Sequence, residues 1–335
     1  MPNVCKDCFS DKELKGFINS QSIKGNCDFC ENKDIEILEI SELFDFFKEL
    51  LDNFKKVEEG DSLKSKIQGN WSLFATLDSA TKILNFIIDK IDTELASSDD
   101  IVEFNDDILE NINYWDILKE QLIWETRYLT DINHITELGW DGFFNTQIIL
   151  NKTTDLYRAR LHNVSSDTAY QSHEMFCPPK HISTAGRANP SGIPYLYLSD
   201  NSETILYEIR ASYLDEVSIG TFRLNEGYNN IFIADFTENP TIFHPSKVND
   251  KIKSTLLKQK ISADLSKPMR RYDSELDYIP TQFICEFIKV YTGVHGIKFR
   301  SSLHRTGNNI VIFDQNLMQC TSIQKVKVKK VVITT

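Results

Sequence analysis

The sequence predicts an α+β protein in three segments. A small cysteine-bearing element spans residues 1–34, an α-helical bundle spans 35–150, and a mixed α+β domain spans 151–335. Three observations carry this reading. Two Cys-x-x-Cys pairs lie within the first segment, apolar residues recur at helical spacing through the second, and short β-rich runs divided by turn residues fill the third. At 335 residues, with 41% apolar and 26% charged side chains, the chain has the length for two or three domains and the composition of a soluble globular protein.

In the first segment, Cys5-x2-Cys8 and Cys27-x2-Cys30 stand eighteen residues apart. Two such turns can bring four thiolates to one tetrahedral Zn2+. The alternative, two disulfides, suits an oxidising compartment. No histidine or open water position accompanies the quartet, so the predicted Zn2+ is structural, stapling residues too few to form a core. Cys177, Cys285 and Cys320 are isolated and read as packed core thiols.

Three helices are expected in the second segment. From Ser41 to Phe54 the apolar stripe includes Leu43, Phe46, Phe47, Leu50 and Phe54, with Ser41 as N-cap. A second stripe runs through Leu77, Ala80, Ile83, Leu84, Ile87, Ile88 and Ile91. A third is placed over Asp106–Thr130, with Ile108, Ile112, Trp115, Leu118 and Leu122 on one face. Three such helices make a small bundle.

Beyond residue 150, strands are predicted over Tyr195–Leu198, Val217–Phe222, Ile231–Phe236 and Ile310–Phe313. Helices are predicted over Glu203–Tyr213 and Thr281–Thr292. The alternating Lys-Val run Lys325–Lys330 reads as an edge strand with a charged outer face.

Charge narrows the partners. A formal net charge of −12 repels a phosphate backbone and disfavours nucleic acid. No basic-then-apolar leader opens the chain and no apolar run approaches the ~20 residues that span a bilayer. A soluble cytoplasmic protein with reduced cysteines is therefore expected.

The third segment also carries a series of polar motifs: Leu156-Tyr157-Arg158-Ala159-Arg160; Gly186-Arg187-Ala188-Asn189-Pro190; Tyr197-Leu198-Ser199 followed by Thr204-x3-Glu208; Pro280-Thr281-Gln282; and Gly296-Ile297-Lys298-Phe299-Arg300-Ser301-Ser302 before Asn308-Asn309. Singly, each is an ordinary turn, helix start or solvated charge. Together and in this order they resemble the RES domain, named after its Arg, Glu and Ser. The upstream region resembles the Cys-x2-Cys zinc element and the HEPN/RES N-terminal helical segment that larger RES proteins carry.

The resemblance implies an ADP-ribosyltransferase-like fold, NAD as substrate, and a toxin- or defence-like role with an antitoxin or regulatory protein as partner. It maps catalytic positions to Arg158, Tyr197, Glu208 and Ser301, and further substrate-binding positions to Arg187, Arg160 and Ser302. Arg158 and Arg160 compete for one assignment, as do Ser301 and Ser302. The stretch Glu238–Tyr278 reads as an insertion, which sets the chain apart from small toxins neutralised by a small partner.

These residue types suit cleavage of the nicotinamide–ribose bond. That reaction needs cations for the pyrophosphate, an anion beside an oxocarbenium-like ribose, and a shelf for the ring. No Gly-x-Gly-x-x-Gly unit is present, so NAD is read as substrate and not as a redox cofactor. Water as acceptor makes the protein an NAD glycohydrolase. Phosphate would make it a phosphorylase, and a protein side chain an ADP-ribosyltransferase. Arg127-x6-His134 offers a competing HEPN-type RNase reading in the helical segment, a two-residue match that arises easily by chance.

Overall fold

The computed structural model describes residues 1–144, 147–238, 241–268, 275–304 and 306–330. Residues 331–335 of the expected C-terminal domain, and 239–240 and 269–274 of the expected insertion, lie outside the described residues. The chain forms two compact units, Met1–Tyr114 with Asn239–Leu257, and Trp115–Glu238 with Lys258–Thr335. No helix among the described residues is long and apolar enough to cross a membrane.

The first unit opens with strands β1 (Asn3–Cys5), β2 (Lys24–Gly25) and β3 (Ile35–Glu39), paired antiparallel in the order β1-β3-β2, with helix α1 (Lys12–Ser20) between β1 and β2. The boundary expected at residue 34 is not one between compact units. Phe9, Leu14, Ile18 and Phe29 are buried in one continuous core with Phe47, Phe74 and Ile87. The cysteine element carries too much apolar surface to stand alone and shares the core of the elements that follow.

Those elements are α2 (Phe44–Leu51), β4 (Phe54–Ser62), α3 (Leu63–Trp71), α4 (Leu77–Ile88), β5 (Ile101–Phe104) and the start of α5 (Asp106–Glu120). The segment expected to be a pure bundle therefore also holds an antiparallel ribbon, β4–β5, where Phe54 faces Phe104 with ring centroids 5.2 Å apart. The first expected helix is shorter at both ends. The Ser41 hydroxyl donates to Glu39 Oε1 (2.6 Å) instead of capping, and a 3-10 turn over Ile40–Leu43 precedes α2. Helix α4 follows its predicted stripe from Leu77 to Ile88 but ends before Ile91, and it is capped by Thr76, whose Oγ1 accepts the Ser79 N–H at 3.0 Å. Helix α5 stops ten residues short of Thr130. A π turn over Gln121–Glu125 ends it, and the Arg127 guanidinium donates to the carbonyls of Leu122 and Ile123, both at 3.2 Å.

Buried Asp11 ties distant parts of this unit together. Its Oδ1 caps α1 by accepting the N–H groups of Glu13 and Leu14, and its Oδ2 accepts those of Ile242 and Phe243 at 2.7 and 3.2 Å. The second half of the chain thereby returns to the first unit, where Ile242 and Phe243 join its core.

The second unit contains α6 (Ile132–Glu137), α7 (Trp140–Phe143), β6 (Gln147–Asn151), β7 (Leu156–Leu161), β8 (Leu196–Ser199), α8 (Ser202–Glu208), β9 (Glu216–Leu224), β10 (Asn230–Asp235), the C-terminal part of α9 (Val248–Leu265), α10 (Ile279–Tyr291), β11 (Gly296–Arg300), β12 (Asn308–Ile312) and β13 (Met318–Lys327). Among the described residues its strands form one eight-stranded sheet in the order β13-β9-β7-β8-β12-β11-β10-β6, antiparallel except for β10–β11. The expected mixed α+β character holds. All four predicted strands are present within two residues of their expected ends, and β13 lies at the predicted sheet edge. One face buries Leu156, Leu196, Leu198 and Ile310; the other packs Ala159, Val217 and Ile219 against Ile205 of α8. Helix α8 is shorter than predicted, because Arg210 adopts φ +52° just past its end.

Asp11→Ala should remove the acceptor of four backbone N–H groups at once and destabilise the first unit by roughly 3–5 kcal/mol. Denaturant unfolding followed by tryptophan fluorescence would show it as a fall in the midpoint; an unchanged midpoint would refute the role.

Candidate active site

The site begins with a parting in the sheet. Strand β7 pairs with β9 along its whole length, Leu156 through Leu161, and β8 pairs with β12 from Leu196 to Ser199. Between β7 and β8 there is one paired position, Tyr157 with Ser199. A cleft of about 430 Å3 is lined from both sides of this parting: by Arg158 and Arg160 of β7, by Tyr197 of β8, and by Gly186 and Asn189 of the preceding loop.

Arg158 and Arg160, two apart on a strand, share a face. The Arg158 guanidinium crosses the parting, donating from Nη1 to the Tyr197 carbonyl at 3.1 Å, while its buried Nε finds no partner. Burial draws its pKa down to about 10, with Arg160 adding to the fall and Cys177 opposing it. Arg160 donates to the Phe176 carbonyl at 2.7 Å. Arg187 donates to the Leu265 carbonyl at 2.9 Å; burial lowers its pKa, while Tyr278, Glu208 and Tyr197 oppose the fall. None of these three guanidinium groups forms an ion pair with a carboxylate among the described residues.

Tyr197 is a fixed wall and not a free donor. Its hydroxyl donates to Asn189 Oδ1 (2.8 Å) and accepts the Ala188 N–H (3.0 Å), and burial raises its pKa. Gly186 is required by that packing, since a Cβ there would lie 2.6 Å from the Tyr197 hydroxyl. Helix α10 holds the loop from behind: Thr281 Oγ1 donates to the Arg187 carbonyl (2.6 Å) and Gln282 Nε2 to that of Gly186 (2.8 Å).

Glu208, the last residue of α8, forms a second cluster. Its Oε1 accepts the Ser301 hydroxyl at 2.6 Å and the Asn309 amide at 2.8 Å. The Ser301 oxygen in turn accepts the N–H groups of Leu303 and His304. Of the two adjacent serines, Ser301 is therefore the one joined to Glu208, with its hydrogen already committed; no hydrogen bond ties the Ser302 side chain to the cluster.

Sequence reasoning passed over several supporting residues. Asn189 and Asn309 lie inside the quoted motifs, yet nothing in their spacing marks them as hydrogen-bond partners of Tyr197 and Glu208. His304 donates or accepts at Thr204 Oγ1 (2.7 Å) and stacks on Tyr207, and Gly307 leaves the room that Thr204 fills. Of the competing pair, Arg127 donates to the carbonyls of Leu122 and Ile123, and His134 Nδ1 lies 4.0 Å from Glu137.

In the first unit the four predicted cysteines do meet. Sγ separations are 3.8 Å for Cys5–Cys8, 3.4 Å for Cys5–Cys30 and 3.6 Å for Cys8–Cys27, and all four sulfurs lie within 4.8 Å of one another. Tetrahedral ligands ~2.3 Å from one ion would stand about 3.8 Å apart, so the quartet fits a metal ion. The Cys27 thiol is lowered in pKa chiefly by its contacts with Cys5 and Cys8, and those same contacts raise the Cys5 and Cys8 thiols.

The family model described as RES domain matches residues 155–330. No curated protein and no solved structure matches the chain.

A desolvated guanidinium with an unpartnered Nε is held against stability. Arg158→Met should raise the melting temperature of the second unit by roughly 2–4 °C, corresponding to about 1 kcal/mol, even as it removes a cation from the cleft. A calorimetric scan showing a lower melting temperature would overturn this.

Proposed function

Because the chain belongs to the RES domain family, whose model covers just over half of its length, we propose that it is an NAD glycohydrolase that splits the nicotinamide–ribose bond and depletes NAD in a toxin- or defence-like role. RES domains are associated with NAD-related toxin activity. The observation that carries the reading is the charge distribution of the second unit. Arg158 and Arg160 line the cleft and Arg187 follows Gly186 of its lining, none with a carboxylate partner among the described residues of a chain of net charge −12, and the Glu208 carboxylate lies within electrostatic range of Arg187.

The cleft arginines suit an anionic diphosphate. Arg158 and Arg160 present planar donors on one strand face, able to bind phosphate oxygens bidentately, and Arg187 lies within electrostatic range of both Tyr197 and Glu208. The Tyr197 ring, fixed at its hydroxyl, offers a flat wall for the nicotinamide. Glu208 Oε1 is occupied by Ser301 and Asn309, so Oε2 is the oxygen available to the ribose. As the glycosidic bond breaks, its electron pair leaves with nicotinamide, which departs neutral and needs no proton. Positive charge builds on the ribose, where Glu208 stabilises it, and Oε2 can take the proton released when water adds.

Cys5, Cys8, Cys27 and Cys30 would hold a structural Zn2+, which supplies folding energy to the first unit and no step of the reaction. An antitoxin or regulatory protein is a further expected partner.

Purified protein incubated with NAD should release nicotinamide and ADP-ribose, resolved by chromatography, and Glu208→Ala should lower the rate at least 100-fold with folding intact. A product formed only with added phosphate would replace hydrolysis by phosphorolysis, and intact NAD under every condition would refute the reading. Cys27→Ser should lower bound zinc well below one ion per chain by elemental analysis and lower the stability of the first unit; unchanged zinc would exclude the quartet as its site.

A further inference from the structure

The clamp on Glu208 is built from three separate elements. Glu208 ends α8, Ser301 follows β11, and Asn309 lies on β12, where its backbone is paired on both sides, with Ser199 of β8 and Phe299 of β11. A carboxylate at a helix C-terminus faces the negative end of the helix dipole and the last free carbonyls, so it does not hold a position there without donors. Both available donors converge on the same oxygen. Ser301 gives its only hydrogen to Oε1, and because the facing group is a carboxylate, the Asn309 atom at 2.8 Å is its N–H and not its carbonyl oxygen. Oε2 receives no hydrogen bond among the described residues.

We propose that Asn309 is a positioning residue for Glu208: with Ser301 it pins Oε1, fixes the plane of the carboxylate, and leaves Oε2 as the oxygen turned to the substrate. The inference rests on the proposed reaction and adds to it a residue that acts through Glu208. A side chain on a central strand is a rigid support, and an anchor that fixes the acting carboxylate without touching NAD should govern turnover and not binding.

The test is steady-state nicotinamide release by the full chain carrying Asn309→Ala or Asn309→Asp, with melting temperature as the folding control. Asn309→Ala should lower kcat about 10- to 100-fold, the range for losing one hydrogen bond to a charged group, and leave KM for NAD within about 2-fold. Asn309→Asp, the same shape with a carboxylate oxygen in place of the donor, should fall at least as far; should the alanine variant fail to fold, this isosteric variant carries the test alone. An unchanged kcat in the folded variants would overturn the proposal, as would a loss confined to KM, which would make Asn309 a direct substrate contact. If the wild-type chain leaves NAD intact, the proposed function has failed while the clamp is still read directly. In a crystal structure of Asn309→Ala, Glu208 should leave its single orientation, and an unmoved carboxylate would refute the positioning role.

Discussion

The second unit depends on how little β7 and β8 touch. Each strand is fully paired on its other side, β7 to β9 and β8 to β12, so the sheet keeps its continuity while opening between them. A parted sheet exposes backbone groups that must find other partners. Here a side chain meets part of that need: the Arg158 guanidinium reaches across to the Tyr197 carbonyl. The same step that satisfies the backbone brings a cation to the wall of the cleft. One hydrogen bond to the parted sheet and one cation at the cleft wall therefore come from the same side chain, whose desolvation costs more than that bond returns.

The cleft is then made rigid from outside. Helix α10 holds the carbonyls of Gly186 and Arg187 through Thr281 and Gln282, and the loop so fixed supplies Asn189 and the Ala188 N–H to the Tyr197 hydroxyl. Glu208 is fixed from the other direction by Ser301 and Asn309. Each group expected to meet a ligand is oriented by a neighbour whose own position is set by a strand or helix, the arrangement that keeps a site preorganised. The strain is local: Arg210 at φ +52° ends α8 where a glycine would be more comfortable, and so places Glu208 on the final residue of the helix.

Much of this was legible in the sequence, and the illegible part has a physical cause. Periodicity located α4 and the strands of the second unit, because a stripe or an alternation reports directly which face is buried. It failed at ends: Ser41 found a closer acceptor in Glu39, and a π turn with Arg127 over its carbonyls cut α5 short. It failed at α9 and at the small strands of the first unit, whose residues are buried by partners distant in sequence, as Ile242 and Phe243 are by Asp11 and the N-terminal core. The cysteine quartet was readable because a metal-ligand spacing is local. The role of the Ser301 hydroxyl was not: its motif singled out the residue, but only the fold shows its hydrogen turned to Glu208. Asn189 and Asn309 were hidden for the same reason, since an amide acts through whatever geometry brings to it.

Under the proposed function, what the second unit leaves unsatisfied matches NAD. Arg158, Arg160 and Arg187 have no carboxylate partner among the described residues, although the chain carries 49 acidic residues against 37 basic ones. Burial lowers the pKa of both Arg158 and Arg187, so the protein bears a desolvation penalty that only an anion would offset. Glu208 presents the opposite case, a carboxylate tethered through one oxygen with the other available. A ligand that answered only the arginines would be a simple anion, and one that answered only Glu208 would be a simple cation. NAD answers both, with a diphosphate at its centre and a positive charge at the nicotinamide end that passes to the ribose as the bond breaks. Under the proposed function the same distribution sets stability against activity at Arg158, because the charge that the fold would be better without is the one proposed to hold the diphosphate.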